Sequence, residues 1–139
     1  MADCMIDIEG LATGPDATIL TIAAQIFDPL DQGWLDRQYY CRVDFESQSN
    51  REVQQTTIDW WSQQPEPSRR EAFSELDRVP LGQALQGLHQ LVWQCKRVWM
   101  NGPTYDATIL EHAYKSLQRP LPWTYTQVRD CRTVYSLWP

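Results

Sequence analysis

Three apolar segments in the first half of the chain predict β-strands. The segment CMIDIEGL (4–11) is apolar apart from two carboxylates, and ATILTIAAQIFD (17–28) is apolar on both faces and rich in β-branched residues, as in a strand covered on both sides. TGPD (13–16) lies between them and is typical of a turn, so we expect these two strands to pair antiparallel. QYYCRVDF (38–45) adds a third strand, which completes a meander.

The second half of the chain has the longer period of helices. In the segment 80–95, Leu81, Leu85, Leu88 and Val92 recur at the spacing of one helical face, which predicts an amphipathic helix. The other elements expected here are helices at 50–64, 105–117 and 131–139, a short helix or loop at 71–76, and strands at 97–101 and 125–130. Strands followed by helices that alternate with strands indicate an α/β sandwich with a mixed sheet.

Length and composition are those of a single-domain globular protein. With 139 residues, 42% of them hydrophobic, the chain 1–139 is long enough for one domain with a core. No apolar stretch approaches the ~20 residues of a membrane span, and no signal peptide is evident, so we expect a cytoplasmic protein without a membrane partner. Cys4, Cys41, Cys95 and Cys131 lack metal-ligand spacing, and we expect them to be buried reduced thiols.

Two carboxylates one residue apart interrupt the first predicted strand. Because residues alternate faces along a strand with a rise of ~3.3 Å, Asp7 and Glu9 point the same way with their stems about 6.6 Å apart. Like charges held that close repel each other, and burial would remove the water that stabilises them. A divalent metal ion is the simplest compensator, although solvated charges at an exposed strand end would produce the same pattern.

The net charge bears on the partner of such a site. A net charge of −6 argues at first against nucleic acid, because phosphate contacts normally come from Lys and Arg. Two divalent ions would place four positive charges where a phosphate binds, however. The charge at the site can therefore be positive although the net charge of the chain is negative.

Four segments occur in the order that characterises one nuclease family. Asp7 and Glu9 form an Asp-x-Glu at the end of the first strand, and LATGPDATILTIAAQIFD continues into the second strand. TTIDWWSQQ, NGPTYDATIL and RDCRTVYSL follow. The chain resembles the DEDD superfamily of 3′-to-5′ exonucleases on the ribonuclease H-like fold, and most closely its phage and bacterial exoribonucleases. The resemblance implies a mixed five-stranded sheet flanked by helices, and it makes Asp106 the third carboxylate.

The chemistry implied by the resemblance is two-metal hydrolysis of phosphodiester bonds from the 3′ end of RNA. Asp7 would anchor both ions, Glu9 would bind the ion that activates water, and Asp106 would hold the other ion. Two Mg²⁺ or Mn²⁺ ions prefer oxygen ligands, and together they activate the attacking water and stabilise the leaving oxygen. A first-turn acid favoured by the helix dipole is the structural alternative for Asp106.

The resemblance is incomplete towards the C-terminus. The family closes its site with a third motif, in which a His or Tyr precedes a last Asp on a further helix. Tyr125 and Asp130 have a suitable offset, but they lie in a predicted strand. We therefore expect a chain truncated before this motif and its helices, with doubtful activity and an exposed apolar surface that a homodimer could cover. The residues expected near the edge of that surface are Val134, Tyr135, Leu137 and Trp138.

Four further residues are candidates for binding the substrate end, namely Gly10, Leu11, Trp61 and Asn101. Leu11 could wedge against the terminal base, although a core role in the hairpin fits equally well. On a helix, Trp60 and Trp61 project ~100° apart, so we expect one in the core and one at the nucleotide cleft, where a base could stack. We assign Trp61 to the cleft.

Three functions remain open from the sequence. The favoured one is a metal-dependent exonuclease acting on the 3′ end of single-stranded RNA. The second is the same reaction on single-stranded DNA, because nothing in the sequence shows how a 2′-hydroxyl would be treated. The third is a degenerate, non-catalytic fragment that binds a metal ion or a nucleic-acid end.

Overall fold

A mixed sheet forms the centre of the molecule. The computed structural model describes residues 2–31 and 33–138, so Met1, Gln32 and Pro139 lie outside the described residues. The strands are β1 (Asp3–Gly10), β2 (Ile19–Asp28), β3 (Gly33–Val43), β4 (Arg78–Val79), β5 (Val98–Met100) and β6 (Val128–Asp130). The helices are α1 (Gln55–Ser62), α2 (Glu66–Phe73), α3 (Leu81–Val92), α4 (Pro103–Ser116) and α5 (Cys131–Leu137).

The strand order of the sheet is β4-β3-β2-β1-β5-β6. The pairs β1–β2 and β2–β3 are antiparallel, as the meander predicts, whereas β1–β5, β5–β6 and β3–β4 are parallel. The predicted mixed sheet is therefore confirmed. The expected number of five strands is wrong by one among the described residues, because β4 has only two residues and a pattern that short carries no periodicity.

One face of the sheet carries the main core. Cys4, Ile6 and Ile8 of β1 are buried on this face together with apolar residues of α3 and α4, such as Leu85 and Leu110. The contiguous cluster explains the strict helical spacing of apolar residues in α3. Burial of this face fixes the register of β1, because a slip by one residue would bring its carboxylates into the core.

The opposite face of the sheet is only partly covered. Met5, Asp7 and Glu9 project from it. At one end, α1 and α2 cover this face through a small cluster of Leu11, Leu20, Trp61 and Ala72. At the other end, α5 packs beside an apolar cavity of about 390 Å³, whose lining includes Met5, Phe27, Trp34, Trp99, Val134 and Tyr135. Part of the face between these ends remains open.

The predicted helix at 50–64 begins later than expected. Its first residues form an extended bridge to the turn before β2, in which the Thr18 N–H donates to Glu52 O and the Glu52 N–H donates to Asp16 O. α1 therefore starts at Gln55. The segment after it is a regular helix, α2, with a proline in its first turn, where no backbone donor is needed.

Two other boundaries differ from the prediction. β3 starts at Gly33, five residues before the expected strand, and the expected strand at 125–130 begins with a 3₁₀ turn at Tyr125–Gln127. The cysteines agree with expectation, since all four are buried and free. Within residues 2–31 and 33–138, no helix is long and apolar enough to cross a membrane.

The residues expected near an exposed apolar surface are indeed exposed. In α5 and just after it, Val134, Tyr135, Leu137 and Trp138 retain 38%, 59%, 64% and 73% of their accessible surface. Trp34, which lines the same apolar cavity from β3, is 70% exposed.

Candidate active site

The end of the central strand β1 presents two carboxylates on the open face of the sheet. Asp7 is exposed and Glu9 is half-buried. Their cross-strand partners in β2 are Ala23 and Thr21, whose small side chains leave space above the sheet. A cavity of about 540 Å³ opens beside Asp7 and extends across Ala23 towards Tyr40 of β3. The alternation expected from the sequence therefore brings both carboxylates to a place that a ligand can reach.

The third carboxylate comes from the first turn of α4. Gly102 precedes this helix with a φ of 98°, a left-handed conformation that favours glycine, and Pro103 starts it. Asp106 is only 4% exposed, and its Oδ1 accepts a hydrogen bond of 3.2 Å from the Ile8 N–H. The parallel register of β1 with β5 covers Cys4 and Met5, so Ile8 lies beyond it. Asp106 thus satisfies a backbone donor at the point where the two strands separate.

The three carboxyl groups influence each other electrostatically. Burial raises the pKa of Glu9 to about 7, and the negative charge of Asp7 adds to this shift. Burial also raises the pKa of Asp106 to about 7. The hydrogen bond from Ile8 lowers this pKa, and the charges of Asp7 and Glu9 raise it by smaller amounts. The pKa of Asp7 is raised because protein atoms displace water around it, although its side chain is exposed. The three groups are therefore close enough to repel.

The protein offers these groups little compensation. Among the described residues, none of the three forms an ion pair, and the carboxylates of Asp7 and Glu9 accept no hydrogen bond from the protein. Only Asp106 has a donor, the Ile8 N–H. A cation from outside would relieve both the repulsion and the lost solvation.

Carboxylate oxygens are the ligands that Mg²⁺ and Mn²⁺ prefer, so the donors fit a divalent ion in type and in charge. The positions of these carboxylates do not form a complete coordination site. Within the described part of the chain, no group of three or more His, Cys, Asp or Glu side chains is arranged to hold a metal ion. The fit lies in donor chemistry and charge, and binding would require the side chains to converge.

Tyr105 belongs to the site although the sequence interpretation left it out. Burial, and then the charges of Asp106, Glu9 and Asp7, raise the pKa of its hydroxyl to about 12. The hydroxyl donates a long hydrogen bond of 3.4 Å to Ala12 O. It also explains the glycine that follows Glu9, because a Cβ at Gly10 would lie 2.8 Å from this oxygen. The sequence signal that could have identified Tyr105 is its position next to Asp106 in the first turn of α4.

The other predicted substrate-binding residues divide into buried and exposed ones. Leu11 and Trp61 are 6% and 5% exposed and lie in the core, where the Trp61 indole N–H donates to Gly10 O at 3.0 Å. Trp60 is 53% exposed, so the structure reverses the orientation that we assigned to the two tryptophans. The reason is the register of α1, which turns Trp61 towards Leu20. Asn101 is exposed, and its Oδ1 accepts a hydrogen bond from Arg132.

Tyr125 and Asp130 do not come together as a catalytic pair. Tyr125 is 89% exposed in its 3₁₀ turn. Asp130 caps α5, since its Oδ1 accepts from the backbone N–H groups of Arg132 and Gly102 and its Oδ2 accepts from the Thr133 hydroxyl. Both carboxylate oxygens are thus engaged in holding the start of a helix.

Comparison with known proteins identifies the family. Residues 2–139 match the model of the 3′-5′ exoribonuclease Rv2179c-like domain. The chain belongs to this family. The exodeoxyribonuclease of Enterobacteria phage T4 is 25% identical over 132 residues, and the match covers 86% of this chain and 58% of the phage protein. The chain thus spans little more than half the length of that relative.

A solved structure agrees with this family at the level of the fold. E. coli Exonuclease I, in complex with a 5cy-dA13 oligonucleotide, superimposes with a TM-score of 0.66 over 99% of this chain and 30% of its own chain. Sequence identity is 15%, so the likeness shows the fold alone. The family match confirms the predicted resemblance to 3′-to-5′ exonucleases, and this structure confirms the predicted α/β exonuclease fold.

Proposed function

We propose that the chain carries the catalytic carboxylates of a divalent-metal-dependent exonuclease that removes nucleotides from the 3′ end of single-stranded RNA. The observation that carries the proposal is the group of Asp7, Glu9 and Asp106, which lie together at the end of β1 and have no cationic partner among the described residues. Burial raises the pKa of all three. Membership of the exoribonuclease-like family supports the reaction class and favours RNA.

Each carboxylate has a separate role in this proposal. Asp7 and Glu9 hold Mg²⁺ or Mn²⁺ from the rigid central strand, and Asp106 holds it from α4. The Ile8 N–H orients Asp106 through Oδ1, and Oδ2, which accepts no hydrogen bond from the described residues, would be available to hold the ion. A pair of such ions, when bound, polarises the scissile phosphate and lowers the pKa of a bound water. Asp7, Glu9 and Asp106 would then position the phosphate at the end of β1 through the ions that they hold.

Single-stranded DNA is the second candidate substrate. The phage relative is named an exodeoxyribonuclease, and Exonuclease I was solved with a deoxyadenosine oligonucleotide. The carboxylates recognise phosphate through metal ions, which does not distinguish ribose from deoxyribose. A side chain close to the terminal sugar would have to make that distinction. Tyr105 is our candidate, because its hydroxyl is influenced by the charges of Asp106, Glu9 and Asp7.

The test is digestion of 5′-labelled RNA and DNA oligonucleotides of the same sequence in the presence of Mn²⁺. We expect a ladder that shortens from the 3′ end, appears faster on RNA, and is lost with Asp7→Asn and Asp106→Asn. Asp36→Asn, at an exposed position of β3, is the matched control and should digest like the unaltered chain.

Two results would contradict the proposal. Cleavage that persists in Asp7→Asn and Asp106→Asn would place the chemistry elsewhere. Binding of Mn²⁺ or of the oligonucleotide without any digestion would support the non-catalytic alternative. Faster digestion of DNA than of RNA would keep the reaction and change the substrate.

A further inference from the structure

An aromatic and basic surface lies on the hairpin of α1 and α2, which is hydrogen-bonded to the segment that follows Glu9. We call it the α1–α2 platform and define it by Ile58, Trp60, Arg69 and Phe73. Ile58, Arg69 and Phe73 line a concavity of about 560 Å³ between the two helices, together with Trp61 and with Glu66 and Arg70, which pair with each other. Trp60 lies outside this lining and adjoins it through its contact with Trp61. Trp60 is 53% exposed and Phe73 is 36% exposed, so flat aromatic surface is open to solvent here.

The α1–α2 platform is fixed rigidly to the end of β1. The buried Trp61 packs edge-on against Trp60 at 5.1 Å and against Phe73 at 5.5 Å between ring centroids. Its indole N–H donates to Gly10 O, one residue after Glu9. The start of α1 is held to the same segment, because the Gln54 N–H donates to Leu11 O at 2.8 Å. Trp60 therefore keeps a defined position relative to the end of β1.

The charges around the platform leave one arginine available. Arg70 pairs with Glu66, and Glu71 pairs with Arg42, so the neighbouring acids of α2 already have partners. Within the described residues, Arg69 forms no ion pair, and its buried Nε has no hydrogen-bond partner. Asp59 lies nearby on α1 and accepts a hydrogen bond from the Gln55 amide. In a chain of net charge −6, an unpaired guanidinium beside exposed aromatic rings indicates an anionic, aromatic ligand.

We propose that the α1–α2 platform binds the single-stranded polynucleotide just upstream of its 3′-terminal nucleotide, with a base stacked on Trp60 and a phosphate bound by Arg69. The inference rests on the proposed function, because it extends the substrate path away from the carboxylates. Every base has a flat face to stack and every linkage has a phosphate, so the platform binds without reading sequence or the 2′-hydroxyl.

Binding without catalysis tests this proposal directly. A fluorescently labelled single-stranded oligonucleotide is titrated with the chain in EDTA, once as RNA and once as DNA, and anisotropy gives Kd. We expect Trp60→Ala to raise Kd roughly 5- to 100-fold for both polymers, because stacking of one base contributes that much. Trp60→Tyr keeps an aromatic face and should restore most of the affinity. Arg69→Gln should also raise Kd and should reduce the dependence of Kd on salt.

Matched controls lie on the other side of the sheet. Trp93, at the end of α3, is 56% exposed, and Arg119 follows α4 beside Gly82. Trp93→Ala and Arg119→Gln should leave Kd unchanged. Unchanged Kd in Trp60→Ala, or an equal rise in Trp93→Ala, would overturn the proposal. An unaltered melting temperature of Trp60→Ala excludes unfolding as the cause of weaker binding, and recovery in Trp60→Tyr provides the same check independently.

Kinetics separate this inference from the proposed function. With Mn²⁺, Trp60→Ala should raise KM for a long oligonucleotide and leave its kcat unchanged. For a nucleoside 5′-(p-nitrophenyl phosphate), which has no upstream nucleotide to stack on Trp60, Trp60→Ala should change neither KM nor kcat. Equal parameters for the long substrate in Trp60→Ala and the unaltered chain would overturn the platform while the nuclease proposal stands. Absence of hydrolysis in every form would contradict the nuclease proposal, and the EDTA titration would still decide on the platform.

Discussion

The carboxylates at the two ends of β1 differ in whether the protein provides them with a cation and hydrogen-bond donors. Asp3, Asp7 and Glu9 lie on the same face of this strand. Asp3 is completely buried, and its Oδ2 accepts hydrogen bonds of 2.8 Å from Arg97 Nε and from the Trp99 indole N–H. At the other end, Asp7 and Glu9 are more exposed, yet among the described residues neither has a cation or a donor.

The difference distinguishes a structural carboxylate from candidate functional ones. A buried charge is tolerated when a cation and hydrogen-bond donors replace water, as Arg97 and Trp99 do for Asp3. Asp7, Glu9 and Asp106 have no cation among the described residues, and burial raises the pKa of each, with the charge of Asp7 adding to the shifts of Glu9 and Asp106. An uncompensated cluster in a cleft indicates a site that is completed by something from outside the chain.

The largest effect on stability is expected at the compensated end. Arg97→Ala leaves the Asp3 carboxylate buried without its cation, and we expect the free energy of unfolding to fall by about 3 kcal/mol. Urea denaturation measures it. Arg129→Ala, which removes an exposed side chain that bonds only to nearby backbone, is the control and should cost less than about 1 kcal/mol. Equal costs would remove the distinction between the two ends.

At the uncompensated end, the largest effect is expected on activity. Asp7→Asn removes one negative ligand and should lower the Mn²⁺-dependent rate of RNA hydrolysis by at least about 10²-fold, or about 2.7 kcal/mol. Asp3→Asn should retain kcat per folded molecule, because Asp3 is enclosed by Arg97 and Trp99 and faces no substrate. Single-turnover rates of the two variants, measured at equal concentrations of folded protein, test this difference. A larger loss of kcat in Asp3→Asn would contradict the division of roles.

A smaller effect is expected in the pH dependence of stability without metal. The pKa of Glu9 rises from 4.5 to about 7 in the folded chain, so the folded state holds this proton more tightly than the unfolded state. Its contribution is therefore fully present below about pH 4.5 and is lost as the pH rises through about 7. Glu9→Gln should reduce this decline in urea midpoints measured in EDTA, and the part that remains comes from Asp106, whose pKa is also raised to about 7. A decline of the same size in Glu9→Gln would show that other groups cause it.

Much of the fold followed from local patterns in the sequence. The meander, the helix over 80–95 and the exposure of two carboxylates at the end of β1 all result from period and alternation, which need no knowledge of distant contacts. β4 could not be predicted from a local pattern, because its two residues form a strand only by pairing with β3. The late start of α1 has a similar cause, since Glu52 pairs with the turn before β2.

The candidate site was less accessible to sequence reasoning than the fold. Asp7, Glu9 and Asp106 were predicted from a family resemblance, and their assignment as ligands stays a prediction. The orientation of Trp60 and Trp61 depends on how α1 docks against Leu20, which no local pattern encodes. The pairing of Asp3 with Arg97 joins residues that are 94 positions apart, so the sequence alone could not tell this carboxylate from Asp7.

The central claim is that Asp7, Glu9 and Asp106 form a divalent-metal site. The most direct test is the melting temperature as a function of Mn²⁺ above pH 8, which exceeds the pKa of about 7 of Glu9 and of Asp106. Binding to the folded state should add RT ln(1 + [L]/Kd) of stability, about 2.7 kcal/mol at a hundredfold excess over Kd, and raise the melting temperature by several degrees. Asp36→Asn should respond equally, and Asp7→Asn should respond much less. An unchanged melting temperature across millimolar Mn²⁺, or an equal rise in Asp7→Asn, would contradict the account.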